Sequence, residues 1–445
     1  MRRRFFSNKP NEKIDLSKPY FTIEALEDGL TVNLTVNECE YCVDDGEWKS
    51  TTIGINTVAI NKGQILSFRG NLTPKFLSGI GTFTISKKCS LKGNIMSLLY
   101  GDDFVGKTDL IDKKYAFKNL FYNCTNIVDA SKLILPATTL VYECYSYMFY
   151  NCASLTTAPE LPATTLDYGC YQSMFSGCTG LTTAPVLPAT ILTSSCYRSM
   201  FYGCASLTTA PELPATTLAN NCYRSMFEGC SKLTTAPELP ATTLAEYCYT
   251  SMFYGCASLT TAPELPATTL ANDCYSYMFK GCASLTTAPE LPATILATHC
   301  YSNMFYGCSK LNRIKMLATD ISASNCLTDW VKAVSSTGTF VKHKNMTSLL
   351  GGVSGIPNGW TVVNNVEKNL ITFTIGGVQY QAEEGMTWGE WVDSPFNTDG
   401  YTIFYNNITT IDLIYIVADV LASDIIVEGE TYVLTIGGVG DDMPF

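Results

Sequence analysis

From about Ala116 to Ile321 the chain returns every 26 residues to one phrase, CYxxMFxGCxSLTTAPELPATTLAxx. Its first cysteine falls at Cys144, Cys170, Cys196, Cys222, Cys248, Cys274, Cys300 and Cys326. Its second falls eight residues later, at Cys152, Cys178, Cys204, Cys230, Cys256, Cys282 and Cys308. A unit this short cannot bury its own apolar face, so near-identical units must stack, each covering the next. The result is a solenoid, which presents a long regular surface and points first to recognition.

Within one unit, Leu166, Cys170, Met174 and Cys178 recur at i+4 with Tyr171 and Phe175 beside them. That spacing predicts a short helix with one apolar face, capped by Thr165 and stopped at Gly177. Leu155 to Pro162 reads as the extended part. Pro159 and Pro162 each remove a ladder donor, so any parallel strand there is short, about three residues. Each turn of the coil is then strand, proline-rich bend and short helix.

The units MFYGCASLTTAPELP and MFEGCSKLTTAPELP resemble BspA-like leucine-rich repeats, whose units centre on AFxxCxxLxxIxIP. The resemblance runs over residues 116–326 and departs from the family pattern in Met-Phe for Ala-Phe and Ala-Pro for the second aliphatic pair. It implies a multidomain α/β solenoid, leucine-rich-repeat-like with a 26-residue period, flanked by small β domains. The flanks YFTIEALEDGL, GNLTP, GIGTF and SGIPNGWTVVNN resemble accessory domains of repeat proteins from Bacteroides-type gut bacteria and their tailed phages, crAss-like phages included.

The expected organisation is a basic arm over 1–17, a β-sandwich-like domain over 18–108, the solenoid over 109–326, a cap over 327–366 and a small β-rich module over 367–445. In the first domain TVNLTV alternates, and EYCVDDGEW is two strand pieces around an Asp-Asp-Gly turn. QILSFRG and GTFTI follow, with Trp48 and Phe68 as core candidates. Trp330, Phe340 and Trp360 suit a cap over the last apolar rung. In the last module ITFTIGGVQYQA reads as a hairpin around Gly376-Gly377, TWGEWV as a helical turn, and YTIFY and TYVLTIGG as further strands.

Nineteen cysteines usually mark an oxidised, secreted scaffold. Here sixteen of them, counting Cys124, belong to the repeat columns, and a free cysteine packs as a small buried hydrophobe. Buried reduced thiols are the first reading, with disulfides or metal as alternatives. Cys39 and Cys42 form a CxxC without a second pair, and a strand would point them to opposite faces. His299 and His343 are the only histidines, both in polar surroundings. The chain carries no phosphate-binding loop, dinucleotide fingerprint or HExxH, so neither an enzyme, a cofactor nor a metal centre is expected. A net charge of −11 argues against nucleic acid and anionic membrane as partners, and the most apolar stretch, Ile411 to Val427, is interrupted by three aspartates. The start, MRRRFFSNKP, lacks the apolar region and cleavage site of a secretory signal.

Two columns are candidate contact surfaces. Glu160, Glu212, Glu238, Glu264 and Glu290 share one position on five rungs, interrupted by Val186, and could draw a cation or a basic partner, or simply form a solvated edge. The position after Met-Phe holds Tyr150, Ser176, Tyr202, Glu228, Tyr254, Lys280 and Tyr306. Tyrosine offers an apolar face with a polar tip, suited to sugar or protein, so Tyr150, Tyr202, Tyr254, Tyr306, Glu228 and Lys280 are the ligand-binding candidates. Adjacent threonine pairs such as Thr156-Thr157 lack the flat Thr-x-Thr spacing of an ice-binding face.

The expected function is a non-enzymatic phage virion protein, fibre or surface decoration, whose solenoid holds a host cell-surface glycan or protein. Such a protein is made in the host cytoplasm and needs no export signal. Arg2, Arg3 and Arg4, or the terminal β domains, would dock on other virion proteins. The alternatives are a bacterial cell-surface adhesin of the BspA-like type and a structural spacer with no ligand.

Overall fold

The computed structural model describes residues 13–35, 39–51, 57–72, 81–346, 348–365, 370–375, 378–383 and 431–432. The chain divides into two compact units, Met1–Asn364 and Asn365–Phe445.

The first unit begins with strands β1 (Phe21–Ala25), β2 (Val32–Leu34), β3 (Cys39–Val43), β4 (Lys49–Ser50), β5 (Ile65–Gly70), β6 (Phe83–Ile85) and β7 (Cys89–Asn94). A four-residue helix, α1 (Ser97–Tyr100), and a 3-10 turn follow. β3 and β4 fold back antiparallel on each other, with Asp44 in the left-handed region at the turn. The sheet order is β4-β3-β5-β1-β7-β8, where β8 (Ile127–Ile134) already belongs to the first rung and runs parallel to β7. β2 and β6 form a separate two-stranded ribbon. The strand region and the solenoid therefore share both a sheet and a core. Phe68 is fully buried, whereas Trp48 is half-buried, with the Arg69 guanidinium 4.4 Å from its ring centroid.

The rungs contain no α-helix among the described residues. The stretch expected to be helical is a ribbon of consecutive four-residue turns. In the rung around Cys170, every second N–H closes a local turn: Cys170 N–H to Asp167 C=O, Gln172 to Gly169, Met174 to Tyr171, Ser176 to Ser173 and Cys178 to Phe175, at 3.0–3.2 Å. The intervening N–H groups donate to the next rung: Gly169 to Ser194, Tyr171 to Cys196, Ser173 to Arg198, Phe175 to Met200 and Gly177 to Tyr202, at 2.7–3.1 Å. Each N–H of the ribbon thus has a partner, half of them on the neighbouring rung. The turns require one left-handed residue in every four, and Gly169, Ser173 and Gly177 occupy those places with φ of 57°, 52° and 76°.

Rung spacing explains why helix loses. The phenylalanine ladder steps by 5.7–5.8 Å between Phe175 and Phe305, whereas packed α-helices stand about 8–10 Å apart. A helical rung could not stack at that pitch. On the opposite side the prolines leave isolated single-residue bridges, two per rung, not a three-residue strand: Thr157, Thr183, Thr209, Thr235 and Thr261 pair in parallel succession, and so do Ile191, Thr217, Thr243 and Thr269.

Inside the coil, Tyr145, Tyr171, Tyr197, Tyr223, Tyr249, Tyr275 and Tyr301 stack with ring planes within 17° of parallel. The phenylalanine ladder runs beside them. It is closed at one end by Phe83 and Phe21 against Phe121, and at the other by Trp330 against Phe305. Trp330 is fully buried, and its indole N–H donates to Gly355 C=O at 2.9 Å. Three strands, β9 (Arg313–Met316), β10 (Thr339–His343) and β11 (Thr361–Asn365), cover this end in the order β11-β10-β9. In the second unit, β12 (Leu370–Ile375) and β13 (Val378–Glu383) pair antiparallel as a hairpin, and β14 (Thr431–Tyr432) adds parallel to β12. TWGEWV and YTIFY lie outside the described residues.

All nineteen cysteines are buried, and none is in a disulfide. Each second-column thiol donates to the phenylalanine carbonyl of the preceding rung, from Cys152 to Phe121 through Cys308 to Phe279, at 3.0–3.2 Å. The thiols therefore satisfy a carbonyl as well as filling space.

The glycine column gives a direct test of the ribbon. Gly229 has φ 77°, and a Cβ there would meet the Gly203 Cα at 3.5 Å. Asn123 and Asn151 fill the equivalent place in the first rungs at φ 61° and 57°. Gly229→Asn is expected to cost about 1 kcal/mol, and Gly229→Val about 2–4 kcal/mol from left-handed strain and crowding. Urea midpoints of the two variants check this. Equal midpoints would mean a helical rung.

Candidate functional site

In each turn ribbon Met and Phe point inward, and the residue after them lies at or near the outer surface on every rung except that of Ser176, which is buried. On successive rungs that residue is Tyr122, Tyr150, Ser176, Tyr202, Glu228, Tyr254, Lys280, Tyr306 and Lys332. The column is not uniform. Tyr150 stacks on Tyr122 at 4.7 Å and 7°, so one of its faces is covered. Tyr202 is 45% exposed, the most exposed of the four candidate tyrosines, with short Ser176 on one side and Glu228 on the other. No ring or cation covers either of its faces among the described residues.

Further along, Lys280 does not project freely. Its ammonium lies 5.3 Å from the Tyr254 ring, 4.7 Å from Tyr306 and 5.1 Å from Tyr277. Three tyrosines form a cage around it, held by attraction between the cation and the electron-rich ring faces. Lys332 lies 5.4 Å from the Tyr306 ring on the other side. Glu228 is half-buried. Burial pushes its carboxyl upward, partly offset by a hydrogen bond from Ser225 and the charge of Arg224.

The glutamate column lies on the proline-rich side. Glu160, Glu212, Glu238, Glu264 and Glu290 are exposed, one per rung, and Glu290 pairs with Lys315 at 2.9 Å. Among the described residues no three His, Cys, Asp or Glu side chains converge to hold a metal ion. Val186 interrupts the column as a 76% exposed side chain. His299 sits 3.9 Å from Asp273 at a left-handed position. Arg2, Arg3 and Arg4 lie outside the described residues.

Burial holds the column thiols in the protonated form. Burial pushes Cys144, Cys196, Cys230, Cys248, Cys300 and Cys308 to about 12. It raises the other column thiols as well, Cys152, Cys170, Cys178 and Cys204 among them. A thiol nucleophile needs the opposite shift.

The recurring Cys, Met-Phe and Leu positions and their inward placement agree with one family model. The BspA type leucine rich repeat region matches in six copies over 114–234, 170–266 and 223–327. Residues 114–327 are BspA-type leucine-rich repeats. No curated protein matches the chain. In these BspA-type rungs the recurring spacing is carried by turn ribbons and single-residue bridges, which places the outer tyrosine column at a fixed pitch along one side. Sequence reasoning identified that column but missed Tyr277, which closes the cage around Lys280 from a neighbouring position. Tyr277 was legible as an aromatic where other rungs carry Ser173, Ser199, Ser225 and Ser251.

Proposed function

We propose that this BspA-type solenoid is a non-enzymatic recognition surface that holds a host cell-surface glycan or protein along its tyrosine column, as a fibre or surface decoration of a phage virion. The observation that carries recognition is Tyr202, 45% exposed at the centre of the column and stacked on no other ring among the described residues. Exposed aromatic rings beside polar groups suit sugar and protein contacts alike. The buried columns of reduced thiols support a virion origin, because a chain folding in a reducing cytoplasm keeps such columns reduced. Other virion proteins would be met through the N-terminal arm or the terminal β strands. Among the described residues no helix is long and apolar enough to cross a membrane. The same repeats favour a second reading, a bacterial cell-surface adhesin.

The test is binding of the labelled full chain to intact Bacteroides-type gut cells, before and after enzymatic removal of capsular polysaccharide. Binding lost with the capsule indicates a glycan receptor, and binding that persists indicates a surface protein. Absence of binding to every strain tried would leave the spacer reading. Enrichment in purified virions rather than in outer-membrane fractions separates virion protein from adhesin.

A further inference from the structure

The tyrosine column contains the same three-rung arrangement twice, with opposite charges at the centre. Tyr254 and Tyr306 flank Lys280, whose ammonium sits between their rings. One step back, Tyr202 and Tyr254 flank Glu228 at the same two-rung separation. The phenylalanine ladder beneath that step advances by 5.7 and 5.8 Å, as it does beneath the caged lysine. The backbone repeats too, since Gly229 and Gly281, just after the two central residues, share φ 77°.

Two differences set the second arrangement apart from the filled lysine cage. Where Tyr277 closes the side of the lysine cage, the equivalent residue is Ser225, whose hydroxyl bonds to Glu228. Glu228 also makes no ion pair among the described residues. Arg224, whose charge reaches it, donates instead to Asn221 Oδ1 at 3.3 Å and lies 5.5 Å from the Tyr247 ring. The position thus has a tyrosine on each neighbouring rung, a half-buried carboxylate without an ion pair among the described residues, and a serine where the lysine cage has its third ring.

We propose that the Tyr202–Glu228–Tyr254 slot binds a lysine side chain of a partner protein, with its ammonium against Glu228 and between the two rings. This deepens the reading of the tyrosine column as the binding face and rests on it. The precedent lies in the same column, where Tyr254 and Tyr306, with Tyr277 as a third ring, hold the alkylammonium of Lys280. A carboxylate in place of the resident lysine leaves the position short of one positive charge, which the partner supplies. The net charge of −11 favours a basic protein as the source.

The experiment titrates the full chain with the capped peptide Gly-Gly-Lys-Gly-Gly, followed by nuclear magnetic resonance, beside the same peptide acetylated on its lysine. The expected result is binding of the free-amine peptide and at least about tenfold weaker binding of its acetylated twin. Glu228→Gln is expected to weaken binding about tenfold, and Glu228→Lys to abolish it by filling the slot from within. Amine acylation mapped by mass spectrometry gives a second readout in Glu228→Lys. The introduced amine should react as slowly as Lys280 and far more slowly than exposed Lys232 and Lys310. Fast acylation of that amine, equal binding of the acetylated peptide, or binding unchanged in Glu228→Lys would each overturn the proposal. Glucosamine competing as well as the lysine peptide would assign the slot to amino sugars and overturn the protein source. Cell binding that survives any of these outcomes would leave the broader function standing.

Discussion

Raising the pH from about 8 to about 10 is expected to unfold the solenoid in a steep transition. Burial pushes the column thiols up, several to about 12, against about 8.5 for an exposed cysteine. Protonated thiols are what the folded core tolerates. Below the exposed value both folded and unfolded chains hold their protons, and the thiols contribute no pH dependence. Above it the unfolded chain releases protons that the folded chain retains, so stability falls as pH rises. Each buried thiol contributes about 1.4 kcal/mol per pH unit in that window. A handful of them matches the whole stability of an ordinary domain, about 5–15 kcal/mol. The buried tyrosines, pushed up in the same way, add to the effect at higher pH. Circular dichroism recorded together with thiolate absorbance checks this, because ionisation and loss of structure should coincide. Gradual thiolate formation with the structure intact would place the cysteines near solvent.

The second large effect concerns register. Excising Tyr197 to Cys222 removes 26 residues and joins Cys196 to Tyr223, which preserves every column. The shortened chain is expected to fold, because each rung contacts only its neighbours and its loss removes one interface of many. Excising only Tyr197 to Thr209 joins a turn ribbon to the middle of an extended segment. Both aromatic ladders and the inter-rung hydrogen bonds are then interrupted, and insoluble or protease-sensitive protein is expected. The in-phase excision also removes Tyr202, so binding should fall while the fold persists. A pure spacer would lose length alone.

The stacking, the inward Cys, Tyr, Met, Phe and Leu positions and the cap around Trp330 were legible because a 26-residue period allows few other arrangements. The local backbone was not. Leu166, Cys170, Met174 and Cys178 at intervals of four look helical, and an α-helix drifts only about 40° per such step. Over three steps the apolar face survives, so periodicity alone cannot separate a helix from a chain of four-residue turns. The distinguishing signal lay in residues read as merely variable. Gly169, Ser173 and Gly177 sit at the left-handed positions, and Gly203, Gly229, Gly255, Gly281 and Gly307 continue the last of them. Pitch is the reason those positions matter, since an α-helix spends its N–H groups on itself and cannot stack this closely, whereas a turn ribbon can give half of them to the next rung. The recognition column was legible as a list of side chains but not as an arrangement. Tyr150 is covered by Tyr122, Lys280 is enclosed, and Tyr202 is left open, because the neighbours on adjacent rungs decide exposure.

The most direct test of recognition through the tyrosine column compares binding to the same cells for the wild-type chain, Tyr202→Ala with Tyr254→Ala, and Glu212→Ala with Glu238→Ala. The expected result is loss of about tenfold or more in affinity for the tyrosine pair and near wild-type binding for the glutamate pair. Unchanged binding without the two tyrosines would contradict the assignment and move recognition to another face of the solenoid.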